Sequence, residues 1–190
     1  MTSPDRSRLS RKARKARKAG KARTQTSRDE NVVLRKSGAF FEGDTAFVLS
    51  VAHKAFLAYG SYDNYLQDWF DNDAVSTYIA EIDGNRAGFF MLTTYQPGEG
   101  SGGLVADLVA IAVEPEYQSR GVGKRLLAHA LSLAANADPP AREVWLVVAE
   151  GNSRAQRFFT AQGFRLRDGV GVYPAGQRAL RMAKSLEVES

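Results

Sequence analysis

Hydrophobic positions are almost absent from the first thirty residues and become regularly spaced only after Asn31. Val32 to Arg35 has the short apolar character of a strand. Phe47, Val48, Val51, Ala52, Ala55 and Phe56 then recur at helical spacing behind Asp44, which is expected to cap that helix, and Gly60 marks its end. A second short helix is predicted from about Tyr62 to Phe70. Strands near Ser76 to Ile82 and Ala87 to Thr94 flank Asp83-Gly84, a dipeptide typical of hairpins. Leu104 to Val113 reads as a fourth, mostly buried strand.

From Gly121 to Ala135 the helical period returns, with Val122, Leu126, Leu127, Ala130, Leu131 and Ala134 on one face, and Asp138-Pro139-Pro140 prevents its continuation. A strand over Glu143 to Ala149 follows. Asn152 or Ser153 caps a last helix carrying Ala155, Phe158, Phe159 and Gln162, and Gly163 stands where a left-handed C-terminal residue belongs. Phe164 to Arg167 and Ala179 to Ala183 are strand-like. Strands first, then alternating strands and helices, predict an α/β (α+β) fold, a mixed sheet with helices on both faces.

Composition sharpens this picture at the N-terminus. Residues 1–28 hold 11 Arg and Lys against the single acid Asp5, whereas the remainder holds 15 cations and 20 acids. Three Arg-Lys-Ala repeats run from Arg11 to Ala19 with no apolar face, so the segment cannot bury enough surface to offset its ordering entropy. The expected organisation is a basic, disordered tail over 1–28 and one domain over 29–190. Residues 6–28 have the charge density to contact nucleic acid or the ribosome, while the acidic body favours a cationic partner.

With no cysteine, disulfides, thiolate ligands and an acyl-enzyme thioester are excluded. Only His53 and His129 could supply imidazole, far apart in sequence, so no metal is expected. Without an apolar run of membrane-spanning length or a signal-like core, a soluble cytoplasmic protein is expected.

The chemistry concentrates at Gln118-Ser119-Arg120-Gly121-Val122-Gly123-Lys124-Arg125, where a strand passes through a turn into a helix. Glycines let backbone approach a ligand, and the N–H groups of a helix start beside Arg120, Lys124 and Arg125 suit a pyrophosphate. The same glycines would also serve a plain tight turn. Gly98-x-Gly100-x-x-Gly103 matches a dinucleotide string but precedes a strand, and a nucleotide-hydrolase loop fails because position 118 is Gln.

Gln118-x-x-Gly121-x-Gly123, following Ile111-Ala112-Val113, resembles motif A of the GCN5-related N-acetyltransferases. Asn152-x-x-Ala155 with Phe158-Phe159 and Gln162-Gly163-Phe164 resembles motif B of the same family. The resemblance covers residues 31–184 and implies a mostly antiparallel sheet and an acetyl-CoA-dependent N-acetyltransferase acting by direct attack of an amine, a protein N-terminus or lysine or a small cationic amine. It further implies that Ile111, Ala112 and Val113 pair with the pantetheine and that Gln118, Ser119, Arg120, Gly121, Val122, Gly123 and Lys124 hold the pyrophosphate. Asn152, Ala155 and Phe159 would line the thioester end.

An amine must lose a proton to attack a thioester, so a base is needed, and Asp107 within a buried strand is the candidate. The alternative is a structural charge paired with an Arg or a backbone amide. Asp107 also matches the catalytic glutamate of histone-type members. Many members carry Tyr at the position of Phe159 as an acid toward the sulfur; a phenyl ring has no proton to give, and Tyr173 is the reserve candidate. A catalytically weak acetyl-CoA-binding protein, tethered to nucleic acid or the ribosome by its basic tail, is the alternative function. Tyr59, Tyr62 and Tyr65, among several acids, are candidates for binding the substrate.

Overall fold

A computed structural model describes residues 31–38, 42–60, 63–98 and 103–186. The basic tail and Tyr62 lie outside the described residues, as does the middle of the Gly98 to Gly103 string. The strands are β1 (Val32–Lys36), β2 (Val75–Ile82), β3 (Asn85–Tyr95), β4 (Leu104–Val113), β5 (Ala141–Ala149), β6 (Arg165–Val172) and β7 (Arg178–Ser185). The helices are α1 (Asp44–Phe56), α2 (Asp63–Phe70), α3 (Val122–Ala135) and α4 (Ser153–Ala161). These bounds agree with the hydrophobic pattern to within a few residues, except that β6 runs five residues past Arg167.

The strands form one sheet in the order β1-β2-β3-β4-β5-β7-β6, antiparallel except between β4 and β5. Asp83 and Gly84 make the tight β2–β3 turn with both residues at positive φ, as that dipeptide predicted. On one sheet face, Val48, Val51 and Ala52 of α1 and Leu66 of α2 pack over Ile79, Phe89, Met91, Ala110 and Ala112. On the other, Val122, Leu126, Leu127, Ala130 and Ala134 of α3, with Phe159 and Phe164, cover Phe90, Leu108, Val144 and Leu146.

One expectation is corrected at α1. Gly43, in a left-handed conformation, occupies the N-cap, and Asp44 is the first helical residue with no capping role. Its carboxylate is buried and accepts hydrogen bonds from Arg35 Nη1 at 2.7 Å, Arg35 Nη2 at 2.9 Å, Ser37 Oγ at 2.8 Å and Arg86 Nε at 2.8 Å. Two guanidiniums from β1 and β3 outbid the helix amides for this acid, because their bonds are charge-assisted. The network ties the start of α1 to the sheet.

Candidate active site

Two irregularities in the sheet build the site. Leu108 pairs with Leu92 while Ala110 pairs with Met91, so Val109 is an extra residue in β4. Such a bulge reverses which side chains face which layer. Before it, Ala106 and Leu108 join the α3 side and Asp107 faces the α1 side; after it, Ala110 and Ala112 face α1. The second irregularity is that β4 and β5 pair only from Leu104 to Asp107, where Asp107 stands beside Trp145. Beyond that point the strands diverge, leaving the β5-facing edge of Leu108 to Val113 without a strand partner.

The turn after β4 lies at the far end of this opening. Gln118 Nε2 donates to the Val113 carbonyl at 3.1 Å, closing the turn on the strand that precedes it. Ser119 has φ 63° and Gly121 φ 86°, two left-handed kinks of the kind that turn neighbouring backbone N–H groups to one side. Gly121 is the N-cap of α3 and no side chain caps the helix. A Cβ on Gly121 would meet nothing within 4 Å, whereas one on Gly123 would touch Phe158 at 3.7 Å and Val113 at 3.8 Å. A backbone turn that opens outward at an uncapped helix start offers its amides to an anion, so these residues fit the pyrophosphate of a CoA thioester. Arg120 lies over the Tyr117 ring at 5.0 Å.

Asn152 caps α4, its Oδ1 accepting from Ala155 N at 3.0 Å. Phe159 is almost wholly buried, its ring 5.1 Å from Phe158 and 5.6 Å from Phe164. The ring that borders the glycine turn is therefore Phe158, which the motif reading did not single out.

Asp107 is the most perturbed carboxyl described. Burial pushes its pKa up from 3.8 to about 6, and the nearby Arg181 guanidinium pulls it down. Among the described residues it forms no hydrogen bond or ion pair, and the Arg of the alternative reading is present as the nearby charge of Arg181. Burial and the charge of Asp107 also raise the Tyr95 hydroxyl, against the pull of Arg181. The Trp145 indole N–H donates to Glu143 Oε2 at 2.7 Å, and Arg181 stacks 4.4 Å from the indole centroid. Tyr95, Trp145 and Arg181 were not anticipated. Alternation along a strand could have placed Trp145 on the face of Asp107, but Arg181 required knowing that β7 inserts between β5 and β6.

Tyr59 and Tyr173 lie together, ring centroids 5.5 Å apart, in the α1–α2 connection and the β6–β7 loop. Gln177 Nε2 donates to the Ala58 carbonyl at 2.8 Å and Ala175 N to the Tyr59 carbonyl at 3.2 Å, joining the two loops. Tyr65 is exposed on α2. His129 is structural, edge-on to Tyr78 and Phe90. Among the described residues no group of His, Asp or Glu gathers as metal ligands, and no helix is long and apolar enough to cross a membrane.

Residues 46–164, more than half the chain, match the acetyltransferase (GNAT) family. The chain belongs to the GNAT family. It is 30% identical over 108 residues to an uncharacterized N-acetyltransferase of Archaeoglobus fulgidus, covering 57% of this chain and 72% of that one. It is 32% identical over 98 residues to a mycothiol acetyltransferase of Kocuria rhizophila, covering 52% of this chain but only 32% of the relative. The chain therefore spans about a third of that relative's length. Arabidopsis thaliana NAA60, solved with a bisubstrate analogue, shares the fold at TM-score 0.67 and 16% identity, covering 83% of this chain and 99% of that one. The same plant protein with acetyl-CoA gives TM-score 0.64. This GNAT chain therefore has the mixed, mostly antiparallel sheet that its motifs implied.

Proposed function

We propose that the chain is an acetyl-CoA-dependent N-acetyltransferase in which Asp107 is the general base. The observation that carries this reading is a largely buried carboxyl with its pKa raised to about 6, placed where β4 and β5 begin to diverge. A base is most effective when its pKa lies close to working pH, high enough to take a proton and low enough to be ionised beforehand.

Ser119 to Lys124 hold the pyrophosphate through backbone amides, with Gln118 bracing the turn, and the unpaired edge of Ile111, Ala112 and Val113 accepts the pantetheine. Asn152, Ala155 and Phe159 support the thioester end, Asn152 by fixing the start of α4. Acetyl-CoA, as in the NAA60 complex, would supply the activated acetyl thioester. Asp107 takes the ammonium proton of the acceptor through a water, since an aspartate has a short reach. The freed amine forms the C–N bond as the C–S bond breaks; the sulfur departs as a thiolate, and the second proton lost by the nitrogen passes to that thiolate or to water. With a conjugate acid of pKa about 8.5, well below that of an amine, that thiolate leaves with little help, which suits a phenyl ring at Phe159. Tyr173 and Tyr59, in the joined loops, form the rim on the acceptor side.

The test is acetyl-CoA consumption with a panel of amines, comparing the native chain with Asp107→Asn. Loss of about 100-fold or more in kcat, with acetyl-CoA affinity kept, is expected. A variant that turns over as fast as the native chain removes Asp107 from the mechanism.

A further inference from the structure

The acceptor side of Asp107 holds a cation. Register alone places it: Asp107 stands beside Trp145, Trp145 opposite Ala183 and Ala183 opposite Arg165, one row across β4, β5, β7 and β6. Arg181, two residues along β7 from Ala183, pairs with Val147, level with the divergence of β4 and β5. Side chains two apart on a strand share a face, so Arg181 and Ala183 lie on the face of Trp145 and Asp107. Helices α1 and α2 pack over β2, β3 and β4, and this part of the face is open, Val147 being 44% exposed.

Four other cations on the sheet are paired with carboxylates. Arg35 and Arg86 bind Asp44, Arg167 binds Glu143 and Arg178 binds Glu150. Among the described residues Arg181 has no carboxylate within 4 Å; it stacks on the Trp145 ring and feels the Asp107 charge at longer range. That indole is in turn fixed by Glu143. A guanidinium lying on an aromatic face keeps its N–H edge available for a planar oxyanion, which it grips in two places at once.

We infer that Arg181 binds a carboxylate of the acceptor, and that the acceptor is a small amine carrying that carboxylate beside its nitrogen, an α-amino acid or a close analogue. The inference rests on the N-acetyltransferase reading above. A purely cationic amine would meet a like charge at the mouth of the site, whereas a zwitterion offers its ammonium to Asp107 and its carboxylate to Arg181. Two features favour a small acceptor over a peptide. The loops carrying Tyr59 and Tyr173 are joined to each other by two hydrogen bonds and a ring contact, and Trp145 with Arg181 forms a single stacked pair.

The experiment compares the common amino acids with their C-terminal carboxamides as acceptors at pH 8.5, where Asp107 is ionised in every variant. The native chain should favour the carboxylate form by at least ~10-fold in kcat/KM, the scale of one charged hydrogen-bonded contact. Arg181→Met should bring that ratio close to 1, mainly through KM, and Arg181→Lys should restore part of it. A role confined to tuning Asp107 would shift the acid limb of the pH–rate profile equally for both acceptor series and leave the ratio untouched; that result overturns the inference. So does equal use of acids and amides by the native chain, or turnover of peptides with none of free amino acids. Should no amine at all draw down acetyl-CoA, it is the N-acetyltransferase reading that fails, and the role of Arg181 falls with it.

Discussion

Asp107 and Trp145 stand side by side on the parallel strand pair β4–β5, at the last point where the two strands are paired. Their placement makes one end of the strand pair a closed sheet and the other an open cleft. It also sets Asp107 against an indole, and loss of water around the carboxylate raises its pKa.

That raised pKa has two measurable consequences of opposite sign. Activity should rise with pH along a limb centred near 6, as Asp107 ionises. Stability should fall over about the same range: between the ordinary value of 3.8 and about 6 the folded chain retains a proton that the unfolded chain releases. Asp107→Asn removes this cost. It should therefore stabilise the fold at pH 7.5, by an amount on the order of 2–3 kcal/mol at most, and give no gain at pH 4. Urea denaturation at the two pH values measures the difference; an Asn variant less stable than the native chain at pH 7.5 contradicts the buried, unpaired carboxylate.

Gly123→Glu tests the anion cradle. A Cβ at this position makes only ordinary contacts with Phe158 and Val113, so the variant should fold. Its carboxylate, in the first turn of α3, would sit where phosphate is expected and repel it. Acetyl-CoA affinity measured by calorimetry should drop at least ~10-fold with thermal stability near native. Unchanged affinity would falsify the cradle.

The Asp44 network should behave as a structural ion pair with no part in turnover. Burial pushes the carboxyl up, but hydrogen bonds from Arg35 and Ser37, the Arg35 charge and the Arg86 bond outweigh it and hold the pKa below its usual value. Asp44→Ala leaves two guanidiniums facing a buried gap, and a cost of about 3–5 kcal/mol is expected. The sign with pH is opposite to that of Asp107: this stability is present above the ordinary carboxyl range and lost as acid protonates Asp44. An Asp44→Ala chain with native denaturation midpoints at pH 7 would show that the network contributes nothing net.

Elements with a strong period were legible from sequence alone: α3 through Val122, Leu126 and Ala130, and the β2–β3 turn through Asp83-Gly84. Gly121 gave away its turn because a left-handed residue at a strand-to-helix junction favours glycine. What stayed hidden depends on distant pairing. Val109 looks like any other apolar strand residue, and only the register against Met91 and Leu92 reveals it as the bulge that sets the direction of Asp107. Arg181 sits in an unremarkable strand until β7 is placed beside β5. Asp44 read as a helix cap because the local rule is sound; Arg35 and Arg86, 9 and 42 residues away, override it.

Gly88 gives the sharpest link between packing and the site, although a glycine within a strand carries no functional signal of its own. It pairs with Val113, and a Cβ there would lie 2.7 Å from the Ala112 carbonyl oxygen, 3.1 Å from Val113 Cα and 3.2 Å from Leu126 Cδ1. The closest of these is backbone, so it cannot yield by changing a rotamer. Gly88→Ala must push the end of β4 away from β3 or lift α3 off the sheet, and overpacking of this kind costs about 1–3 kcal/mol. Both segments carry the proposed pyrophosphate turn, whose Gln118 is anchored on the Val113 carbonyl at 3.1 Å. Acetyl-CoA binding should therefore weaken along with stability. Gly84→Ala is the control: its Cβ would meet nothing within 4 Å, and only the positive φ of 77° penalises it. That variant should lose about 1 kcal/mol and bind acetyl-CoA normally. If Gly88→Ala matches Gly84→Ala in both stability and affinity, then the contact between β3 and the end of β4 does not position the turn.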